Sequence, residues 1–386
     1  MTRKLNPETR AVRAALDTDT AYGAVVPPIH LSSTYSFAGF GQRRQYDYSR
    51  SGNPTRDALG NALADLEEGA GGIIVASGMG AVTLVTSLVK PGERIVVPQD
   101  CYGGSYRLFA ALHRTGRAIV DFVDPTDLSA LQTALATPAR LLWLETPSNP
   151  LLRITDLQAA SALGHAAGAV VCADNTFLSP AWQQPLLLGC DVVIHSTTKY
   201  LNGHSDVVGG AVVAKDRALH DELAWWANCL GLTASAFDSF LTLRGVRTLH
   251  ARLRLHEINA RLIAEALQRH SAVKAVHWPG LPTHAGHALA ARQQKGFGAM
   301  LSFELVGGEP EVRAFLDGLE CFSLAESLGG VESLVAHPGS MTHAAMDATA
   351  RERAGITDSL LRLSVGIEAP EDLLADLAAG LGRVQG

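Results

Sequence analysis

The sequence predicts an α/β protein whose larger part is a mostly parallel seven-stranded sheet, covered by helices on both faces and followed by a smaller C-terminal α/β domain. Seven short runs rich in β-branched residues succeed one another: GGIIVAS (71–77), RIVVPQ (94–99), AIVDFVD (118–124), RLLWLET (140–146), AVVCADN (169–175), DVVIHS (191–196) and GGAVVAK (209–215). Their separators have the length of crossover helices, and near-continuous apolar runs belong to strands buried on both sides. From Leu241 to Leu267 the texture becomes long and helical, with Arg and Leu interleaved, and strand-like pieces such as AMLSFEL (299–305) and LLRLSVG (360–366) then alternate with helical ones.

In chain order, residues 1–55 read as an extended arm, with Pro27, Pro28 and the cluster Ser32, Ser33, Thr34 in place of a helical period. Residues 56–255 are assigned to a large domain and 256–386 to a small one. The first helix opens at Pro54 after a capping Asn53, and Leu59, Leu63 and Leu66 follow at helical spacing until Gly69. Gly69 to Val89 contains no charged residue, long enough to raise the question of a membrane span. Its five glycines, Ser77, Thr83, Thr86 and Ser87 split it into a strand and a helix of a buried core instead.

Composition narrows the function. With 32 Lys plus Arg against 38 Asp plus Glu, the formal charge of −6 provides no bulk positive field for nucleic acid or an anionic membrane. A small-molecule partner is expected. The five cysteines, Cys101, Cys172, Cys190, Cys229 and Cys321, are odd in number and never form CxxC, which argues against a disulfide framework or a structural zinc site. No metal is expected, and the chain reads as reduced and cytoplasmic. Met1 to Arg13 is basic but has no apolar stretch behind it, so it does not read as a secretory signal.

A parallel sheet first suggests a dinucleotide enzyme, yet GxGxxG, GxxxxGK[ST], GxSxG and HExxH are all absent. What remains is a set of polar residues at predicted C-terminal strand ends, where open α/β sheets place their ligands. Ser77-Gly78-Met79-Gly80 joins a strand to a helix; it suits an anion at the helix N-terminus, or simply a tight turn. Asp174 ends a very apolar strand, where a carboxylate needs a partner such as a protonated pyridine nitrogen, or else serves as a helix cap. Lys199, flanked by Ser196, Thr197 and Thr198, would be a desolvated amine nucleophile or an ordinary loop lysine.

The strings YSRSGNPTR (48–56), SGMGA, DCYGGSYRLF, ETPSNP, DNTF, HSTTKYLNGHSD (195–206) and ESLGGVESL (326–334) resemble the Cys/Met-metabolism pyridoxal-phosphate enzymes over nearly the whole chain. The resemblance implies a fold-type I transferase fold, pyridoxal 5'-phosphate as cofactor, amino-acid substrates, and a homotetramer built from dimers that share active sites. It implies that Lys199 carries the cofactor, that Asp174 pairs with its pyridinium nitrogen and that Tyr102 stacks on its ring. Gly78, Met79, Ser196 and Thr198 would bind its phosphate, with Tyr48 and Arg50 reaching the same phosphate from a neighbouring subunit. Arg362 would pair with the substrate α-carboxylate, although by pattern alone a structural ion pair suits it as well. Arg107 would face a distal carboxylate, and Asn228, Glu326 and Ser327 would complete the substrate site.

Within the family, VVPPIHLSSTY (25–35), ELAWWANCLG (222–231) and ARQQKGFGAMLSFEL (291–305) are most similar to the bacterial branch that makes cystathionine by γ-replacement. That implies O-succinylhomoserine plus cysteine giving cystathionine and succinate. Glu326, in place of the aromatic residue of the β-lyase branch, resembles the γ-directed enzymes. Gly103, after Tyr102, differs from the cysteine that methionine γ-lyases carry in this region. Ser51 stands where close bacterial synthases often carry a second arginine, which keeps γ-cleavage of cystathionine to cysteine, 2-oxobutyrate and ammonia as the alternative. Outside the family, the remaining readings are a non-catalytic α/β binding protein or a nicotinamide enzyme without its glycine fingerprint.

Overall fold

The structure, a computed structural model, describes residues 4–343 and 348–384. The seven expected runs form strands β1 (Gly71–Val75), β2 (Arg94–Pro98), β3 (Ile119–Val123), β4 (Leu141–Glu145), β5 (Val170–Asp174), β6 (Val192–Ser196) and β7 (Gly210–Ala214). They lie in one sheet in the order β1-β7-β6-β5-β4-β2-β3. Strands β2 to β6 pair in parallel, and only β7 runs against its neighbours β1 and β6. The C-terminal ends of β4, β5 and β6 therefore share one edge.

Both faces are covered. Helix Pro54–Glu67 begins as the sequence requires: Pro54 takes the first turn, and Asn53 Oδ1 accepts from the N–H groups of Thr55 (2.9 Å) and Arg56 (3.2 Å). Its Leu59, Leu63 and Leu66 are buried against one face of the sheet with Val193 and Val213. On the opposite face, Val82 and Val85 from helix Gly78–Thr86 and Leu223 from helix Arg217–Leu230 pack with Val75, Ile194 and Val212. The uncharged stretch after Gly69 thus divides into β1 and the helix that follows it. Among the described residues, no helix is long and apolar enough to cross a membrane.

The run from Leu241 to Leu267 belongs to two helices, Ala236–Val246 and Leu249–Gln268, separated at Arg247 and Thr248. The second of these passes through residue 255 and leads to a further sheet. That sheet comprises β8 (Val273–His277), β9 (Met300–Leu305), β10 (Ser323–Leu324), β11 (Leu334–Ala336) and β12 (Leu360–Ser364), in the order β10-β11-β12-β9-β8. All its pairings are antiparallel except β10 with β11. Leu253, Ile263 and Leu267 of the long helix and Leu373, Leu377 and Leu381 of helix Pro370–Val384 pack on Phe303, Leu305, Leu361 and Leu363. The same core cluster includes Leu59 and Val213, so the two sheets share buried apolar contacts.

Residues 4–53 contain a short helix at Pro7–Val12 and otherwise run as turns, bends and irregular chain. An isolated bridge joins Thr34 to Tyr48. Tyr22, Leu31 and Phe40 of this arm are exposed.

Candidate active site

A cleft of about 470 Å³ opens over the C-terminal ends of β4, β5 and β6, closed on its other side by the loops at 326–328 and 341–342 and by Arg362 of β12. Its lining includes Gly78, Met79, Tyr102, Arg107, Asp174, Ser196, Thr198, Lys199, Glu326, Ser327 and Arg362. Those from the large sheet come from strand ends spread between positions 77 and 199, and the pairing of β4, β5 and β6 brings them together.

Lys199 stands at the centre. Its Nζ donates to Ser327 Oγ at 2.6 Å. Burial, followed by the nearby Arg362 charge, brings the amine down to about 8, while Glu326 pulls it upward. A lysine in this range holds roughly a tenth of its population as free base at pH 7, far more than an ordinary lysine, and both a nucleophile and a proton carrier need that free base.

Arg362, 3% exposed, donates through Nη1 to Asn149 Oδ1 (3.0 Å) and through Nη2 to the Ser327 carbonyl (2.8 Å). It forms no ion pair among the described residues, and its Nε has no partner. The structural ion pair is therefore not its role here. Burial lowers it to about 10, against an opposing pull from the Glu326 carboxylate in the cleft, and leaves a charged guanidinium with no ion-paired carboxylate among the described residues. Arg107, exposed on helix Gly103–Arg114, also lines the cleft and has no hydrogen-bond or ion-pair partner among the described residues.

The floor has the opposite character. Asp174 Oδ1 accepts from the Thr176 N–H at 3.0 Å. No helix is capped by Asp174, because the next one, Ser179–Trp182, starts after Leu178. Beside it in register lies Glu145, 6% exposed, whose Oε2 accepts from the Tyr102 N–H at 2.9 Å. Burial raises both carboxyls, Glu145 well above the usual carboxylate range with the Asp174 charge adding to the effect, whereas the bonds from Thr176 pull Asp174 back down. Neither forms an ion pair among the described residues.

At the mouth of helix Gly78–Thr86, Ser77 Oγ accepts from Gly80 N–H at 3.0 Å, and the N–H groups of Gly78 and Met79 have no partner among the described residues. A Cβ at Gly78 would lie 2.8 Å from Ser196 Cβ, so only glycine lets this turn close on Ser196. The Thr198 hydroxyl donates to the Gly209 carbonyl (3.2 Å) and accepts from its N–H (3.0 Å). The Tyr102 ring, half exposed at the cleft, lies over Gly104, where a Cβ would meet its Cε1 at 2.5 Å.

The residues fit pyridoxal phosphate on their own chemistry. An anion is wanted where two N–H groups of a helix N-terminus lie free beside Ser196, a cation where Asp174 has none, and an aldehyde-reactive amine stands between them. Sequence reasoning missed Glu145, Asn149 and Thr176. The ETPSNP string contains the first two, and Glu145 ends its strand as Asp174 ends the next; that parallel was the available signal.

Three expected site residues lie elsewhere. Arg50 Nη1 donates to Asn228 Oδ1 (2.6 Å) and to the Asn228 carbonyl (3.0 Å), and its guanidinium sits 5.5 Å from the centre of the Tyr48 ring. Tyr48 and Arg50 border a separate cavity of about 490 Å³ together with Arg56 and residues 233–236. The structure does not bring Tyr48, Arg50 or Asn228 to the cleft of their own chain.

Comparison with known proteins agrees with this architecture. Residues 8–382 match the family described as Cys/Met metabolism PLP-dependent enzyme. The chain is 58% identical over 381 residues to a cystathionine γ-synthase from Escherichia coli (strain K12), covering 98% of each chain. Its fold superimposes with a TM-score of 0.98 on the crystal structure of a cystathionine γ-synthase from Xanthomonas oryzae pv. oryzae in complex with cystathionine, at 64% identity and 99% coverage of both chains. A cystathionine γ-lyase from Lactobacillus plantarum complexed with L-serine gives a TM-score of 0.95 at 43% identity, covering 99% of this chain and 100% of that one. The chain belongs to the Cys/Met-metabolism family of pyridoxal-phosphate-dependent enzymes.

Proposed function

We propose that this enzyme catalyses γ-replacement, converting O-succinylhomoserine and cysteine to cystathionine and succinate in methionine biosynthesis. The observation that carries the reading is the pair of guanidinium groups, Arg362 and Arg107, lining one cleft with Lys199, neither of them in an ion pair with a carboxylate among the described residues. A substrate with an α-carboxylate and a distal carboxylate satisfies both.

Bound pyridoxal phosphate supplies the electron sink for the carbanion chemistry. Arg362 holds the α-carboxylate and orients the substrate so that its Cα proton faces Lys199. Lys199 Nζ, tethered by Ser327 and lowered by burial, takes that proton and delivers protons along the chain. The bond from Cγ to the succinyl oxygen then breaks, and the cysteine sulfur bonds to Cγ in its place. Arg107 releases the distal carboxylate with succinate.

Ser51 favours the second reading, γ-cleavage of cystathionine: its Oγ donates within the arm to Asp47 Oδ1 (2.8 Å) and the Tyr48 carbonyl (2.7 Å) and offers no charge to a succinyl group. Steady-state rates with O-succinylhomoserine plus cysteine, set against cystathionine alone, decide between them. The synthase reading requires the first to dominate.

Tyr48 and Arg50, directed away from their own cleft, suit the phosphate of a neighbouring subunit in a homotetramer of site-sharing dimers. Mixing Lys199→Ala with Arg50→Ala chains is expected to restore activity in hybrid dimers, where some sites carry neither defect; verified hybrids without activity would remove the shared site. The enzyme is assigned to the cytoplasm, on the absence of cysteine pairing among the described residues, and fractionation of the native cells tests that placement.

A further inference from the structure

We propose that Glu145 is a positioning residue: it keeps a proton beneath the cleft, so that Asp174 stands as the single carboxylate of the floor, and it anchors the backbone of Tyr102. Parallel register sets Glu145 and Asp174 side by side at the ends of β4 and β5, about 4.8 Å apart across the strands. Both reach the same cleft, and two carboxylates so placed do not both ionise without a cation between them. Neither has one among the described residues.

The surroundings choose which acid keeps the proton. Asp100, facing the pair from the turn after β2, has its own support in the Ser148 hydroxyl (2.8 Å) and Arg153 (3.7 Å). Cys101 is a buried thiol that both carboxylates push upward, and Tyr102 presents only its N–H to Glu145. Asp174 opens to the cleft and is stabilised as an anion by Thr176. Glu145 is the more buried and accepts a single hydrogen bond, so the proton settles there. A protonated Glu145 still offers its carbonyl oxygen to the Tyr102 N–H. One carboxyl thereby fixes the N-terminus of helix Gly103–Arg114, where no side-chain cap exists, and leaves the negative charge where a pyridinium nitrogen can use it. This holds whichever substrate the cleft takes.

The test compares wild type, Glu145→Gln, Glu145→Leu and Asp174→Asn, with infrared spectra taken on the holoenzymes and cofactor affinity measured by titrating each apoprotein with pyridoxal phosphate. The infrared spectrum at neutral pH is expected to contain a protonated-carboxyl band that disappears in Glu145→Gln and persists in Asp174→Asn. Glutamine, neutral and of the same shape, keeps the acceptor for Tyr102 and should retain cofactor affinity close to wild type. Leucine leaves that N–H unsatisfied and should weaken cofactor binding by roughly 5- to 150-fold. A band that survives in Glu145→Gln but vanishes in Asp174→Asn would place the proton on the wrong acid. Cofactor affinity in the glutamine variant as poor as in the leucine variant would mean that the charge is needed, and a leucine variant that binds like wild type would remove the anchoring role. If the leucine variant does not fold, the band and the glutamine affinity still decide the question.

Discussion

The floor and the wall of the cleft make opposite demands. On the floor, Glu145 and Asp174 are acids with no ion-paired cation, and on the wall Lys199 and Arg362 are bases with no ion-paired carboxylate, among the described residues; Glu326 acts on both bases only from a distance. Burial drives each set toward neutrality, raising the acids and lowering Lys199 to about 8 and Arg362 to about 10. Pairing across the cleft would satisfy both sets, yet no such pair forms among the described residues. Instead the wall is tied to neutral groups, Ser327 and Asn149, and the floor to N–H groups of Thr176 and Tyr102. Charges held apart in this way serve a ligand carrying both signs: a ring cation for the floor and carboxylates for the wall.

The strongest break of this comparison is Lys199→Ala, which removes the only lysine amine among the described residues lining the cleft. Loss of both covalent and proton-transfer catalysis should lower turnover at least about 10³-fold and abolish the visible band of bound cofactor. Wild-type-like turnover would end the assignment.

Next is the floor. Asp174→Asn should leave the fold intact while weakening cofactor binding by on the order of 10- to 150-fold, the value of one charge-assisted hydrogen bond. Titration of the apoprotein with pyridoxal phosphate measures it, and an unchanged affinity would reduce Asp174 to a turn residue.

On the wall, Arg107→Ala should cut kcat/KM for O-succinylhomoserine by a similar factor, about 10- to 150-fold, and spare O-acetylhomoserine, which has no distal carboxylate. An equal fall for both substrates would mean that Arg107 acts through packing.

The smallest effect is one of pH. Because Lys199 is lowered to about 8, the free amine grows as pH rises through that value, so the apoprotein should take up pyridoxal phosphate roughly tenfold more slowly at pH 7 than on its high-pH plateau. A flat profile between pH 7 and 9 would show that the amine is not held near 8.

Much of the large sheet was legible because its signal is local. Each of β1 to β7 lies inside the run that predicts it, since the central strands are buried on both faces and must be largely apolar; the edge strand β3, with Ile119 exposed, is less buried and carries Asp121. The second sheet was less so: β9 and β12 were readable, whereas β10 and β11 span two and three residues, too few to display a period. Arginine-leucine interleaving marked a long helical run but not its break at Arg247 and Thr248.

The site divides along the same line. Lys199, Asp174 and the Ser77-Gly78-Met79-Gly80 turn were identifiable one by one, because each is a polar residue at the end of an apolar strand, where its chemistry needs a purpose. Glu145 meets that description equally well and was passed over, since only β4–β5 register makes it the neighbour of Asp174. Likewise no local pattern links Arg362 to Asn149, 213 residues earlier, or directs Tyr48 and Arg50 away from their own Lys199. The sequence alone determined which side chains can do chemistry and which strands deliver them, because propensity and burial act over a few residues. Tertiary structure alone decided which charges face one another and which are kept apart, because electrostatic partnership depends on distance in space, and chain closure over hundreds of residues sets that distance.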